Sequence, residues 1–227
     1  MTNYENKLDN PAWYSLSETH KQFEIEFGDV KFYPPEYCQF GGYMTSDDIF
    51  DSIIQYSKLC SSFYIMGQKP NIPEGFKIEQ EVDCFQMIIN DEITLPIDET
   101  IIELKAEYLK DVLDLVAIAY PNFFQKKTLL LGKNFGVFKN NQLVAITGER
   151  MKMNKYTEVS AVITHPEHTG NGYAKQLITH TTNQIFKENK TPYLHVAKTN
   201  NKAISLYKKL GFHVRREITF WGIKKTE

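Results

Sequence analysis

The residues best suited to chemistry lie in a glycine-rich segment, residues 169–174, with the sequence Thr-Gly-Asn-Gly-Tyr-Ala. An apolar segment of β type, residues 159–164, precedes it, and an amphipathic helical pattern, residues 175–189, follows it. A strand that ends in a glycine turn at the start of a helix leaves backbone N–H groups free, and the helix dipole points at the same place. Glycine also lets an anion approach the backbone closely. The segment therefore predicts a binding site for a phosphate or pyrophosphate group.

Two common glycine-rich phosphate motifs fit this segment poorly. A P-loop requires Gly-Lys followed by Ser or Thr, whereas Gly172 is followed here by Tyr173 and Ala174. A dinucleotide fingerprint requires three glycines at wider spacing, early in a repeated βαβ pattern. Here only one further strand–helix–strand passage follows the segment, so the dinucleotide fingerprint also fits poorly.

That further passage carries a second pattern. Residues 193–197 are typical of a strand, and residues 200–212 are typical of a helix that begins at Asn200, a residue type that caps helix N-termini. Residues at i, i+3, i+4 and i+7 form one helical face: Ala203, Leu206, Tyr207 and Leu210. Gly211 then ends the helix, where a left-handed residue is needed.

Together the two patterns resemble the GNAT superfamily of acyltransferases, which carry an Arg/Gln-x-x-Gly-x-Gly/Ala loop and an Asn-x-x-Ala-x-x-x-Tyr helix ending in Gly-Phe. The resemblance covers roughly residues 99–222, with the motifs in the family's order. Thr169 stands where the family has Arg or Gln, but backbone N–H donors do not depend on that side chain. The runs at residues 148–151 and 157–162 look most similar to the glycine N-acyltransferase-like branch.

The resemblance implies an α/β fold with a mixed, mostly antiparallel sheet and helices on both faces, and acetyl-CoA as the cosubstrate. It implies that the backbone of residues 162–164 pairs with the pantetheine arm, and that an N–H near Val162 receives the developing oxyanion. The side chain of Lys175 could add charge to a phosphate, or could be solvated. The residues expected at the carrier are Val162, Ile163, Thr164, Thr169, Gly170, Asn171, Gly172, Tyr173, Ala174, Lys175, Asn200 and Tyr207.

The implied activity is transfer of an acetyl group to a primary amine of a small molecule or amino acid, by direct attack in a ternary complex. A non-catalytic acyl-CoA-binding regulatory module is the alternative, because Thr169 departs from the motif and the first 98 residues have no assigned role. The sequence does not name the amine, since acceptor pockets are built from variable loops.

Two glutamates compete as the general base. Glu158 lies 14 residues before Gly172, the spacing of the catalytic glutamate in the histone-acetyltransferase branch. We expect a carboxylate in an apolar sheet to have a raised pKa, which suits a base. The alternative for Glu158 is an ion pair with Lys152 or Lys155. Glu149 enters the cleft in only one strand register.

Tyr207 is the candidate general acid, because a phenol can protonate a thiolate leaving group. Its position on an apolar helical face is equally typical of a core residue, so that alternative stays open. Asn200 is expected to cap this helix, and the resemblance implies that it also contacts the carrier. His195 is the histidine we single out as a possible acid–base group, because its strand faces the opening that the resemblance implies.

Composition excludes several classes of protein. The 227 residues carry a net charge of −2, which gives no basic surface for nucleic acid. No apolar run reaches the roughly 20 residues of a membrane helix, and the first residues lack the apolar core of a signal peptide, so a cytoplasmic location is expected. Cys38, Cys60 and Cys84 have no metal spacing and are expected as reduced thiols. No metal is predicted; the expected partner is a small-molecule amine, and a homodimer stays open.

An acidic, proline-containing stretch at residues 91–99 marks the expected boundary between two regions, 1–98 and 99–227. The second region is predicted to be the acyltransferase domain, with the element order β-α-α-β-β-β-α-β-α-β. The first is predicted to be an accessory α/β region, with strands near 23–27, 62–66 and 84–89 and a helix at 47–59. Its order echoes part of the GNAT pattern, so a degenerate GNAT-like half is a further interpretation.

Overall fold

The computed structural model describes residues 4–44, 49–119 and 124–226, and the described residues form one mixed sheet of 11 strands. The strands are β1 (Ile25–Phe27), β2 (Val30–Phe32), β3 (Phe40–Tyr43), β4 (Ser62–Met66), β5 (Phe76–Ile88), β6 (Ile102–Glu103), β7 (Asn134–Lys139), β8 (Gln142–Lys152), β9 (Tyr156–Thr164), β10 (Thr191–Ala197) and β11 (His213–Lys225). Their spatial order is β1-β2-β3-β4-β11-β5-β10-β9-β8-β7-β6.

The α-helices of the described residues are α1 (Pro11–Ser17), α2 (Phe50–Ser57), α3 (Leu109–Ala119), α4 (Tyr173–Lys187) and α5 (Asn201–Lys209). Short 3-10 turns lie at Tyr4–Asp9, Lys21–Phe23, Ala106–Tyr108, Thr128–Leu131 and Pro166–His168. Two α-helices were expected between β6 and β7. Within the described part of the chain, α3 is the one α-helix there, and 3-10 turns lie before and after it. None of the described helices is long and apolar enough to span a membrane.

Local sequence explains where several elements begin and turn. Asn10 caps α1 by accepting a hydrogen bond from the Trp13 N–H at 3.3 Å, and Pro11 occupies the first helical turn, where its missing donor costs nothing. Asn140 and Asn141, with φ of 50° and 62°, make the two-residue turn between β7 and β8.

The helices cover both faces of the sheet, as expected. Residues of α4 and α5 pack on one face against an apolar cluster that contains Leu194 and Val196 of β10. Residues of α1 and of the 3-10 turn before it pack on the opposite face, where Tyr193 of β10 is fully buried. Because neighbouring residues of a strand point to opposite faces, the alternation along β10 separates the two layers. All pairings are antiparallel except β3 with β4 and β9 with β10, so the expected mixed, mostly antiparallel sheet is confirmed.

The sheet is continuous across the expected boundary near residue 98. β5 comes from the first region but pairs with β10 and β11, both from the second. The first region therefore supplies an inner strand of the sheet beside the strand that carries His195. Whether residues 1–98 form a separate folding unit stays a prediction.

Two halves of the sheet have matching connections. β3 pairs in parallel with β4 through α2, and β9 pairs in parallel with β10 through α4. β4 then pairs with β11 and β10 with β5, while β5 and β11 pair with each other. Each half thus places its last strand beside the other half; a degenerate GNAT-like half stays an interpretation.

The first region was the harder one to predict. β4 has its expected bounds, while β5 is longer than expected, and α1, β2 and β3 were not predicted. Residues 45–48, which include the expected start of the helix at 47–59, lie outside the described residues. The three cysteines are free, as expected, and burial raises the pKa of the Cys38 thiol to about 12.

Candidate active site

The site is built around an opening between β9 and β10. The two parallel strands pair only at their beginnings, where Thr191, Pro192 and Tyr193 lie opposite Tyr156, Thr157 and Glu158. Beyond Glu158, β9 continues beside β8 and β10 continues beside β5, so the strands diverge. The edge of β9 that faces β10 thus has no described strand partner from Val159 onward. A backbone edge of this kind can pair with an extended ligand.

A β-bulge lies on β9 next to this opening. Ser160 pairs with Gly148 and Ile163 pairs with Ile146, so β9 has one more residue than β8 across the interval. Ala161, inside the bulge, has φ of 50°, a conformation that residues with a Cβ rarely adopt. Strained backbone of this kind is concentrated at functional sites, because it turns backbone groups out of the regular ladder. The bulge places the backbone around Val162 outside the ladder of β8 and β9.

The glycine-rich segment follows β9 and ends at the N-terminus of α4. Gly170 and Gly172 have φ of 88° and 78°, which favour glycine, and a Cβ built on either one meets no atom within 4 Å. From Gly170 to Lys175, no described residue accepts a hydrogen bond from a backbone N–H. Several donors and the positive end of a 15-residue helix therefore meet in open space. The arrangement fits a phosphate or pyrophosphate group.

The side chains of this segment bond mainly to the segment itself. Thr169 donates from Oγ1 to the Pro166 carbonyl at 3.1 Å, and Asn171 donates from Nδ2 to the His168 carbonyl at 3.1 Å. Lys175 is exposed, while Tyr173 is buried with the Lys139 ammonium 5.5 Å from its ring. The unoccupied donors of this segment are thus backbone N–H groups, which do not depend on the side chain of Thr169.

A buried ionic cluster lies where β9 and β10 begin to diverge. Arg150 donates from Nε to Oε2 of Glu158 and from Nη2 to Oε1, both at 2.8 Å. The Nδ1 atom of His195 lies 2.8 Å from the same Oε1, and the side chains of Glu158 and His195 are 1% and 2% exposed. The cluster joins β8, β9 and β10 on the face covered by α1.

The ionisation of Glu158 differs from the expectation. Burial raises the pKa of this carboxyl group, but the charge and hydrogen bonds of Arg150, together with the hydrogen bond of His195, outweigh it. The net result holds the pKa of Glu158 well below its ordinary value, so the expected raised pKa is wrong. In the alternative interpretation of Glu158 the ion-pair partner was a lysine, and the structure has Arg150 in that place. Glu158 is therefore an ionised carboxylate that binds Arg150 and His195.

Glu149 lies on the other face of the sheet. It pairs in register with Val159, whose side chain belongs to the apolar cluster under α4, whereas Glu158 points the opposite way. Its Oε2 accepts from the Lys152 ammonium at 2.6 Å and from the Lys133 N–H at 3.1 Å. The observed register therefore separates Glu149 from the cluster around Glu158.

Tyr207 and Asn200 have the local roles that the sequence suggested. Tyr207 is 6% exposed and belongs to the same apolar cluster as Val159 and Val196, one from each diverging strand. Burial raises the pKa of its hydroxyl to about 12, and no hydrogen bond joins that hydroxyl to a described residue. Asn200 caps α5 by accepting from the Ala203 N–H at 3.1 Å. Tyr207 and Glu158 thus flank the opening from opposite faces of the sheet.

The sequence interpretation missed two residues of the cluster, Arg150 and Gln86. Arg150 could have been found from the hairpin of β8 and β9, because a turn near residue 154 brings it opposite Glu158. Gln86 is fully buried, and its Nε2 lies 3.1 Å from Nε2 of His195. The available signal was a lone polar residue inside the apolar run at residues 84–89.

A pocket of about 390 Å³ opens on the side of β9 where α3 packs. It is lined by Gln39, Leu113, Val116, Ala117, Phe124 and Gln125. Val116 and Phe124 belong to the apolar cluster that Ala161 of the bulge packs against. The pocket thus combines an apolar wall with two side-chain amides next to the bulged strand. Among the described residues, no group of His, Cys, Asp and Glu side chains could hold a metal ion.

Residues 134–221 match the family model described as FR47-like protein. A search of curated protein sequences finds no match.

Solved structures resemble the chain over nearly its whole length. A GNAT-family protein from Novosphingobium aromaticivorans DSM 12444 superposes with a TM-score of 0.84 at 26% identity, covering 97% of this chain and 99% of that chain. A GCN5-related N-acetyltransferase-like protein from Streptococcus suis 89/1591 gives a TM-score of 0.62 at 15% identity, covering 96% of each chain. A GCN5-related N-acetyltransferase from Kribbella flavida gives 0.61 at 15%, covering 95% and 94%.

Proposed function

We propose that this protein, which has the fold of GNAT-family acetyltransferases, moves an acetyl group from acetyl-CoA to a primary amine. The observation that carries the proposal is the diverging pair β9 and β10, which leads from the Glu158 cluster to the free N–H groups at the start of α4. The glycine N-acyltransferase-like branch is the finer proposal, supported by the runs at residues 148–151 and 157–162. Together these features supply a carrier site and acid–base groups.

The carrier site rests on shape and backbone donors. Residues 170–175 would hold the pyrophosphate, because their N–H groups are unoccupied by described acceptors. The free edge of residues 162–164 would pair with the pantetheine arm. An N–H beside the bulge at Ala161 would stabilise the developing negative charge on the thioester oxygen, since the bulge turns backbone out of the ladder. The bound carrier supplies the acyl group as a thioester.

We assign proton acceptance to the Glu158–His195 pair. A carboxylate with a lowered pKa is a weak base by itself, but it stabilises the positive charge that an imidazole gains on taking a proton. Arg150 holds Glu158 in place through two hydrogen bonds, and Glu158 in turn orients His195. The proton of the attacking amine would pass to this pair, through a water where direct contact is not made.

Tyr207 is the proposed general acid. Its raised pKa keeps the hydroxyl protonated at neutral pH, which is the form that can donate to a thiolate. A hydroxyl that is already used in an internal hydrogen bond would have to break it first, and Tyr207 has none among the described residues. In this proposal the Glu158–His195 pair acts on the amine from one face of the sheet, and Tyr207 acts on the leaving thiolate from the other.

The pocket beside α3 is the proposed place for the body of the amine. Its described lining has no charged side chain: Leu113, Val116, Ala117 and Phe124 are apolar, while Gln39 and Gln125 offer amide groups. This lining favours a small molecule with an apolar body and one or two polar atoms.

The test is release of free thiol from acetyl-CoA, measured with Ellman's reagent across a panel of amines that includes glycine, apolar primary amines and diamines. Amine-dependent release that falls in Glu158→Gln supports the transferase. Binding of acetyl-CoA without release for any amine would instead support the alternative, a non-catalytic acyl-CoA-binding regulatory module.

A further inference from the structure

The His195 imidazole is bonded on both sides. Its Nδ1 faces Oε1 of Glu158 at 2.8 Å, and its Nε2 faces Nε2 of Gln86 at 3.1 Å. Two chemical arrangements satisfy these distances in principle: a neutral ring with one proton, or a ring protonated at both nitrogens. The orientation of the Gln86 amide decides between them, because the amide offers either N–H donors or a carbonyl acceptor to the ring.

Two neighbours of Gln86 fix that orientation. Nε2 of Gln86 lies 2.6 Å from the carbonyl oxygen of Leu8, which can only accept a hydrogen bond. Oε1 of Gln86 lies 2.9 Å from Nη1 of Arg215, which can only donate. Reversing the amide would put two acceptors together at Leu8 and two donors together at Arg215. Both neighbours therefore require the amide NH₂ group to be on the side that faces His195.

The orientation of Gln86 in turn fixes the ring. An amide N–H that faces Nε2 requires a lone pair on Nε2, so the ring proton is on Nδ1 and is donated to Glu158. A second proton on Nε2 would face the amide N–H groups of Gln86. Uptake of that proton would require Gln86 to turn, and Leu8 and Arg215 both oppose the turn.

We infer that Gln86 is a positioning residue that fixes His195 as the Nδ1-protonated tautomer and, with Arg215, keeps the Glu158–His195 pair free of a second proton. The catalytic consequence rests on the proposed function: the pair enters the reaction without its second proton, and Nε2 of His195 takes that proton from the amine only in the step in which the Gln86 amide turns. Gln86 belongs to β5 and Leu8 to the first 3-10 turn, so the first region contributes directly to the state of the site.

Arg216 is a neighbouring arginine that can serve as a control for Arg215. Arg215 and Arg216 both bond to Oδ1 of Asp9, at 2.7 Å and 2.8 Å, and both line an open surface pocket of about 560 Å³ with Asp9 and Glu217. Arg215 also donates to Gln86, whereas Arg216 donates from Nε to the Glu217 carbonyl at 3.0 Å. Replacement of each by Met removes the same kind of charge from the same pocket.

The experiment uses ¹⁵N-edited NMR of the histidine rings in the full chain at pH 7, without any ligand. In the wild type, we expect His195 to have a protonated Nδ1 and an unprotonated Nε2. In Gln86→Glu, where the new carboxylate can only accept, we expect both nitrogens to be protonated. In Arg215→Met, Gln86 is free to turn and the doubly protonated population should increase, whereas Arg216→Met should match the wild type. A protonated Nε2 in the wild type, or equal spectra for Arg215→Met and Arg216→Met, would overturn the inference.

The rate of acetyl transfer separates this inference from the proposed function. With an amine that the wild type accepts, Arg215→Met and Gln86→Glu should lower kcat at pH 7 about tenfold or more, without a change in the Kd of acetyl-CoA. Arg216→Met should keep the wild-type kcat. If the spectra are as expected but the wild type transfers no acetyl group, the tautomer of His195 stands and the proposed function is wrong. If the spectra are as expected but kcat is unchanged in Arg215→Met and Gln86→Glu, Gln86 is not a positioning residue for the reaction.

Discussion

His195 and Glu158 share a hydrogen bond of 2.8 Å across the first open position between β9 and β10. The backbone pairing of the two strands ends at Glu158 and Tyr193, so the side chains continue the connection where the ladder stops. The bond is buried, and Arg150 supplies the compensating charge from β8. The residues that close the end of the opening are therefore the same ones to which we assign proton acceptance in the proposed function.

Replacement of Gly172 by Val should abolish the rise in melting temperature that acetyl-CoA gives to the wild type. The new side chain would project into the space in front of the free N–H groups, and ligand binding stabilises only the folded state. Thermal unfolding with acetyl-CoA and with pantetheine, which lacks the pyrophosphate, provides the measurement; pantetheine should act weakly.

A control is needed because Gly172 also has a positive φ, which costs a residue with a Cβ about 1–2 kcal/mol. Gly75 has φ of 83° and equally open surroundings, but it precedes β5, far along the chain from α4. Gly75→Val should lower the melting temperature of the free protein to a similar extent and keep the acetyl-CoA shift. If acetyl-CoA raised the melting temperature of Gly172→Val as much as that of the wild type, the assignment of the carrier site to this segment would be wrong.

Glu158→Gln should lower turnover roughly 10²-fold or more and leave the Kd of acetyl-CoA unchanged, because the variant loses the charge that stabilises a protonated His195. It should also lose stability by about 3–5 kcal/mol, because the buried Arg150 guanidinium loses the carboxylate charge of Glu158. Steady-state kinetics and denaturant unfolding measure the two effects.

Glu149→Gln is the matched control, because Glu149 is an equally buried carboxylate on the opposite face, paired with Lys152. It should lose stability while the folded fraction keeps its turnover. If the loss of turnover followed Glu149 and not Glu158, the assignment of the acid–base site to the face under α1 would be wrong.

Tyr207→Phe should lose turnover while keeping its fold and its affinity for acetyl-CoA. The substitution removes a hydroxyl that bonds to no described residue, so we expect a change in stability below about 1 kcal/mol. Thioesters whose thiols are poorer leaving groups should be affected most, because they depend most on protonation. Full activity in a well-folded Tyr207→Phe protein would make this residue a core tyrosine only.

Stability should fall between pH 6.5 and pH 4 because of His20. Burial lowers the pKa of His20 to about 4 from its ordinary value of 6.5, and its Nδ1 bonds to the buried Tyr33 hydroxyl at 2.8 Å. The unfolded chain therefore takes up a proton below pH 6.5 that the folded protein does not. The stability due to His20 is complete above pH 6.5 and decreases by roughly 3 kcal/mol as the pH falls to about 4.

Urea unfolding from pH 7 to pH 4.5 tests this expectation in a range that excludes Glu158. The pKa of Glu158 is lowered in the folded protein, so its contribution is lost only as the pH falls below about 4.5. In His20→Asn, whose amide can still bond to Tyr33, the decrease between pH 6.5 and pH 4.5 should be much smaller. An equally steep decrease in the variant would assign the effect to another group.

The sequence by itself determined the features that depend on local geometry. Gly170 and Gly172 require a positive φ, Asn200 and Gly211 bound a helix, and the spacing of Tyr207 places it on the buried face, whatever the rest of the chain does. These features predicted the glycine-rich segment, α4 and α5, and with them the resemblance in fold.

Tertiary structure alone decided the chemistry around Glu158. The direction of its pKa depends on Arg150 and His195, which come from neighbouring strands, and the tautomer of His195 depends on Gln86 and Arg215, which are 129 residues apart. The sequence predicted a raised pKa because a lone carboxylate in an apolar sheet is costly to ionise, and the prediction failed because the sheet brought a guanidinium beside it. Electrostatic interactions act through space, between residues that the order of the strands brings together. The position of β5 between β10 and β11 produces no periodic pattern in the sequence, so these neighbours could not be predicted from it.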